Sequence, residues 1–231
     1  MITAMFRDVR DGIDREKALL AAGQPTVLLW QAEQNALVIP AAMAARPTVA
    51  PIAEACAAAG WPIIARSSGG GGVPQGLGTL NLAIVAPMQS GGAMEDGYDL
   101  ICGAIGEALT RFEVNWTVGA VEGSFCDGKW NVTVAGLKFA GTAQRCSARN
   151  GQRIALIHAA LLLERPDPAF WDALELVHAA ADLAVSPRPD VHVALDDLLA
   201  PRMRASSFHG ALARAAQDRL TDLVNRQSKV A

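Results

Sequence analysis

The chain has no apolar run near the roughly 20 residues that a membrane-spanning helix needs. It also has no excess of basic charge: 20 Lys and Arg stand against 23 Asp and Glu, a net charge of −3. Nothing in that balance draws it to nucleic acid. Its four cysteines, Cys56, Cys102, Cys126 and Cys146, form no Cys-x-x-Cys pair. A chain of 231 residues buries enough core to fold without disulfide staples. Reduced thiols in the cytoplasm are therefore the expectation. The stretch MITAMFRDVRDG agrees with this, since it meets charge at once and shows no apolar signal region. In that compartment the sequons at Asn115 and Asn131 carry no meaning. The histidines His158, His178, His192 and His209 are scattered without metal-ligand spacing, which argues against a zinc site. Gly-x-Ser-x-Gly is absent, which argues against a hydrolase elbow.

What is present reads as a globular protein, 51% hydrophobic with much of that alanine. A single catalytic domain over 1–231 is the expectation. Ile13 to Ala22 reads as a helix stopped by Gly23. Thr26 to Trp30, Ala36 to Ile39, Pro62 to Ala65 and the alternation Leu80, Leu82, Ile84 read as strands. Val49 to Ala59 is an alanine-rich helix, and Asp96 is placed to cap another running through Tyr98, Ile101, Ile105 and Leu109. Val114 to Val118, Trp130 to Val134 and Leu137 to Ala143 follow as strands, the last two turned at Ala135-Gly136. Ile154 to Leu163 begins as strand and is ambiguous later. Pro168 to Leu183 and Ser207 to Val224 are helical, separated by a linker-like Pro187 to Pro201. Contiguous strands with helices between and after them give an α+β class.

Two segments carry chemistry. Gly123 to Arg145 puts Cys126 in a loop flanked by Gly123, Asp127 and Gly128, then Lys138 between Leu137 and Phe139. A thiol among glycines is approachable, and an ammonium in an apolar strand can polarise a carbonyl oxygen. Each has an ordinary reading as well, a buried thiol and a lysine with its stem packed and its head in water. Cys146 is a second candidate thiol without glycines around it, whereas Cys56 and Cys102 fall in helices. Gly69 to Gly72 forms a loop preceded by Arg66 and Ser68. Neither Gly-x-Gly-x-x-Gly nor a Gly-Lys-Ser/Thr follows, so it matches no nucleotide fingerprint. Bare N–H groups there can meet a ligand, or the segment is a surface turn.

Arg66-Ser67-Ser68-Gly69-Gly70-Gly71-Gly72-Val73, with Leu77-Gly78-Thr79-Leu80-Asn81, resembles the signature loop and strand of the lipoate-protein ligase and octanoyltransferase family. Gly136 to Arg145, with Lys138 in Leu-Lys-Phe-Ala-Gly-Thr-Ala-Gln-Arg, resembles its lysine motif. Trp30 and the strand near His158 are similar as well, and the resemblance spans roughly residues 10 to 165. The Cys126 loop resembles most the cysteine-dependent branch, whose members move octanoyl groups from the glycine cleavage H protein to lipoyl domains.

The resemblance implies an α+β biotin/lipoyl ligase fold with a mixed, largely antiparallel sheet. It implies that Cys126 takes the acyl group as a thioester and that Lys138 steadies the acyl carbonyl. It implies substrate-binding roles for Arg66, Ser68, Gly69, Gly70, Gly71 and Asn81 in the first block, and for Gly141 and Gln144 in the second. No cofactor would be required. The implied partners are an acyl donor protein (glycine cleavage H protein or acyl carrier protein) and an acceptor lipoyl domain. Lys129 or Lys138 would supply the cation that favours thiolate. Two departures stand out. Pro74, Gln75 and Gly76 replace the Tyr-His-Asp run of ATP-dependent ligases, and the residues after Glu164 read as core helices where those enzymes carry an accessory domain. An ATP-dependent ligase, and a binding protein without turnover, remain the alternatives.

Overall fold

The computed structural model describes residues 1–88, 94–126, 128–149, 152–184, 186–200 and 205–228, so Asp127 lies outside the described residues. The elements are β1 (Ile2–Phe6), α1 (Val9–Ala22), β2 (Thr26–Ala32), β3 (Ala36–Pro40), α2 (Ala41–Ala44), α3 (Ala53–Ala58), β4 (Ile63–Arg66) and β5 (Val73–Gln75). They continue through β6 (Thr79–Met88), α4 (Glu95–Thr110), β7 (Thr117–Gly119), β8 (Asn131–Val134), β9 (Leu137–Arg149) and β10 (Gln152–Leu162). Helices α5 (Pro168–Ala180), α6 (Leu195–Leu198) and α7 (Ala205–Ser228) follow.

A seven-stranded sheet in the order β1-β2-β6-β10-β9-β8-β7 stands beside a three-stranded sheet, β4-β3-β5. Among the described strands only β1 with β2 and β3 with β4 pair in parallel, so the architecture is the mixed, largely antiparallel α+β arrangement expected. Helices α4 and α7 cover one face of the large sheet, where Ile101, Leu109, Phe208 and Leu212 join Leu82, Ile84 and Ile157. Burying each such side chain contributes about 1.5–3 kcal/mol. On the other face α1 packs on Leu28, Trp30, Ala83 and Leu156. Asp8 caps α1 by accepting from Arg10 N at 2.7 Å, and Gly23 ends it at φ +70°. Gly12 lets α1 sit against Trp30, because a Cβ there would meet the indole at 2.4 Å.

Several boundaries differ from the expectation. Val49 to Ala59 is broken into a 3₁₀ turn, Ala50–Ile52, and the short α3, with Pro51 at the break. Asp96 does not cap α4, which begins one residue earlier and keeps Asp96 in its first turn. Strand β7 is shorter than Val114 to Val118 because it is an edge whose partner β8 offers only three pairs. Strand β9 runs on to Arg149, and β10 is strand throughout, because the two pair from Gln152↔Arg149 to Leu161↔Ala140. A central strand is covered on both faces and reads as an unbroken apolar run. The linker-like Pro187 to Pro201 is structured over its described part, with a 3₁₀ turn at Pro189–Val191, then α6. Val191, Val193 and Leu195 are buried there. No helix among the described residues is long and apolar enough to cross a membrane.

Candidate active site

The hairpin at Ala135-Gly136 has φ of +51° and +79°, the geometry of a tight two-residue turn, and launches β9. Val132 opposes Ala140 while Thr133 opposes Lys138, so Phe139 is an extra residue, a bulge. A bulge re-aims the neighbouring side chain. Lys138 is thereby fully buried beside Gly141, where a Cβ would stand 3.2 Å from its Cε and 3.3 Å from Nζ. Its ammonium donates to the carbonyls of Phe125 and of Cys126, the latter at 2.6 Å, and lies 4.5 Å from the Phe125 ring centroid. The lysine therefore lies under the cysteine loop and is fastened to that loop's backbone.

Cys126 has φ +60°, a left-handed conformation that costs a non-glycine residue roughly 1–3 kcal/mol. The surroundings supply the constraint. His192 stacks on Phe125 at 4.4 Å and 16°, and its Nε2 accepts from Phe125 N at 3.3 Å. Its Nδ1 donates to Arg188 O at 2.9 Å, which leaves Nε2 as the acceptor of a neutral ring. Burial, then the charge of Lys138, pushes the His192 pKa down to about 4, so the neutral tautomer persists at physiological pH. Asn131 Nδ2 donates to Gly128 O at 2.8 Å and anchors the loop's far side. His192 comes from the segment read as linker, and no signal in the sequence attaches it to Cys126.

The glycine loop covers the thiol. Arg66 is buried and donates to Val38 O at 3.0 Å, Gly69 O at 2.9 Å and Gly71 O at 2.7 Å, so the loop is pinned rather than a free surface turn. A Cβ on Gly70 would sit 2.8 Å from Cys126 Sγ and 3.2 Å from an Arg66 nitrogen. One on Gly71 would sit 2.9 Å from Cys126 N. Around Gly69 there is open space. The glycines thus differ: Gly70 and Gly71 allow close approach to the cysteine, whereas Gly69 contributes its carbonyl. The same Gly70 position brings an Arg66 nitrogen close to this thiol. Burial lowers the Arg66 pKa, opposed by Cys126 and Glu16. Lys129 does not serve, because it reaches out to the exposed Glu95 at 3.3 Å.

Cys126 lines a cleft of about 720 Å³ counting its open mouth. Ile13, Trp30, Val38, Val73 and Leu156 give it apolar walls. Arg66, Ser68, Asn81 and Gly141 line it as well. Asn81 and Gln75 exchange amide hydrogen bonds at 2.9 and 2.7 Å, which satisfies both buried side chains. Gln144 stands elsewhere: on β9 it alternates with the cleft-lining Ala143 and Arg145, and it donates to Met94 O at 2.7 Å beside α4. Its place is the face of the sheet covered by α4 and α7, where it anchors α4.

One further side chain at the cleft, Glu16, has no signature in the sequence, and it meets His158 and, through it, Ser68. Glu16 is 4% exposed; one oxygen accepts from Trp30 Nε1 at 2.9 Å and the other is 2.8 Å from His158 Nδ1. His158 Nε2 is 2.9 Å from Ser68 Oγ. Glu16 sits on α1 among Asp11, Asp14 and Lys17, and only the packing of that helix on β2 turns it inward. The other thiols are set apart: Cys56 and Cys102 are buried, and Cys146 is exposed.

The lipoyl protein ligase A/B catalytic-domain profile matches residues 12–217. The chain is 38% identical over 170 residues to an uncharacterized protein of Cupriavidus necator, covering 66% of this chain and 67% of that one. It is 42% identical over 85 residues to the octanoyl-GcvH:protein N-octanoyltransferase of Kyrpidia tusciae, covering 37% of this chain and only 30% of that relative's length. The fold is that of lipoate-protein ligase A bound with ATP, at a TM-score of 0.70, 18% identity, and coverage of 96% of this chain and 86% of that one. With 206 of its residues matched by one profile, the chain belongs to the lipoyl protein ligase A/B catalytic-domain family.

Proposed function

We propose that this protein is an acyltransferase that moves an octanoyl or lipoyl group onto a lysine of a lipoyl-domain protein by way of a Cys126 thioester. The observation that carries this reading is the thiol itself, held in a strained conformation at an apolar cleft, between a buried guanidinium and a loop whose carbonyls are held by a buried ammonium. The cleft takes the acyl chain between Trp30, Val38, Val73 and Leu156. Gly70 and Gly71 let the thioester carbon approach. Lys138, beside Gly141, supplies positive charge where the carbonyl oxygen becomes negative, a contribution worth about 3–4 kcal/mol in comparable sites. The likeness to the Kyrpidia enzyme supports transfer from an acylated H protein, and an acyl carrier protein is the other donor of suitable chemistry. Residues 1–231 act as one catalytic domain, with α5 and α7 completing its core.

The test is mass spectrometry of the protein after incubation with octanoylated H protein or octanoyl-carrier protein, followed by an acceptor lipoyl domain. An octanoyl adduct is expected on Cys126, with passage to the acceptor and loss of both in Cys126→Ser. Full transfer by Cys126→Ser, or transfer that requires ATP and releases pyrophosphate, would replace this reading with the adenylating one.

A further inference from the structure

The large sheet ends on β1, an edge without the usual guards. Among the described strands β1 pairs with β2 alone. Its residues, Ile2–Phe6, include no charge, no proline and no bulge, the devices that keep an edge from pairing. The other edges are protected: β7 forms only a three-residue ladder, β5 carries Pro74, and β4 lies against α2 and α3. On β1, by contrast, Met5 is 52% exposed, and Met1 beside the strand is 64% exposed. We propose that β1 is a homodimer interface, on which a second copy of this chain lays its own β1 antiparallel about a twofold axis at Ala4. The inference does not depend on the transferase reading.

The register follows from the strand itself. Phe6 O accepts from Glu33 N at 2.9 Å, so the even-numbered residues of β1 turn their N–H and C=O groups toward β2. By alternation Thr3 and Met5 turn theirs outward. In an antiparallel pair centred on Ala4, Thr3 of one copy faces Met5 of the other, and the outward donors and acceptors meet. A slip of one residue would turn every side chain to the wrong face. The side chains agree with this register. Thr3 pairs with Leu29, which packs on the α7 face, so Thr3 and Met5 share that face. Met5 of the second copy therefore stands beside Thr3, at a cavity of about 490 Å³ counting its open mouth. Met1, Thr3, Leu29, Leu80, His209 and Ala213 line that cavity, and methionine is suited to filling an irregular gap of this kind. Helices α1 and α7 pack mainly over β2 and the strands inside it, so both flanks of β1 stay open to a second sheet. Trp30 and the Cys126 cleft belong to the face opposite Met5, so both clefts open on one side of the joined sheet.

Sedimentation velocity of the full chain, from about 1 to 200 μM, tests the interface. A single strand pair is a small interface, so dissociation in the micromolar range is expected, the mass rising from 24.2 kDa toward twice that value. Thr3→Pro removes an outward N–H without touching the ladder to β2, and Met5→Lys places a charge on the edge. Each should weaken the dimer by about tenfold or more, with the far-UV circular dichroism of the parent. The register is read separately. Ala4 meets its counterpart across the axis as a non-hydrogen-bonded pair, Cα atoms about 4.5 Å apart, within reach of a disulfide. Ala4→Cys, in a chain that also carries Cys126→Ser and Cys146→Ser, should oxidise to a covalent dimer whose 4–4 linkage is identified by peptide mass spectrometry. A parent that stays monomeric at the highest concentration would overturn the proposal and leave the edge to an extended segment of another protein. A dimer that survives both Thr3→Pro and Met5→Lys, or that forms no such linkage, lies elsewhere on the surface and overturns it too. If Thr3→Pro does not fold, Met5→Lys and the cross-link decide.

Discussion

Replacing Gly71 with alanine isolates the packing of the glycine loop on the nucleophile. The new Cβ would lie 2.9 Å from Cys126 N and 3.0 Å from its Cα and Cβ. Those separations are roughly 0.5 Å or more short of the optimum between heavy atoms. Cys126 cannot retreat freely, because Lys138 holds its carbonyl from beneath and His192 holds Phe125. Overpacking of this kind costs about 1–3 kcal/mol, which lowers Tm by roughly 2–12 °C in a domain of this size. A displacement of about 1 Å at reacting atoms costs about 100-fold in rate, so acylation of Cys126 should fall between roughly 10- and 100-fold. Gly69→Ala is the internal control: nothing lies within 4 Å of its Cβ position, and both rate and Tm should stay at the parent's values. The assay is the time course of octanoyl-Cys126 by intact mass, with thermal melts alongside. If Gly71→Ala acylates within twofold of Gly69→Ala and melts with it, the loop does not set the position of the thiol and the argument from close approach fails.

Cys146 and Cys126 should accept iodoacetamide in the native protein while Cys56 and Cys102 stay protected, since burial and then Asp99 push the Cys102 thiol up to about 12; peptide mapping that finds Cys102 labelled first would contradict the packing. His192 links the site to acid stability. A folded pKa of about 4 against an ordinary 6.5 means that the unfolded chain takes up the proton first, so stability is full above pH 6.5 and is lost as pH falls toward 4. The loss amounts to about 3 kcal/mol, and urea titrations at pH 7 and 4.5 should show that slope diminished in His192→Gln. Lys138→Met should lower acyl transfer about 100- to 1,000-fold. The Phe125 and Cys126 carbonyls lose their charged donor, while relief of a buried charge offsets part of the stability cost. Near-normal transfer by a folded Lys138→Met protein would remove the lysine from the mechanism.

The amino-acid sequence by itself determined the α+β class, the Ala135-Gly136 hairpin, the glycine loop and the candidacy of Cys126 and Lys138. Each rests on a local signal, such as apolar alternation, turn residues with positive φ, or a thiol among glycines. Tertiary structure alone decided which groups meet. Glu16, His158 and Ser68 are 142 and 90 residues apart along the chain, and pair because α1, β10 and the loop after β4 converge on one face of the sheet. The bulge at Phe139 turns Lys138 inward, and the alternation of β9 sends Gln144 to the opposite face, where it holds α4. His192 reached the cysteine loop from a stretch with the composition of a linker, because the buried Val191, Val193 and Leu195 fold that stretch back onto Lys138. Side-chain direction depends on register and on what packs above it, and neither is written in the local run of residues.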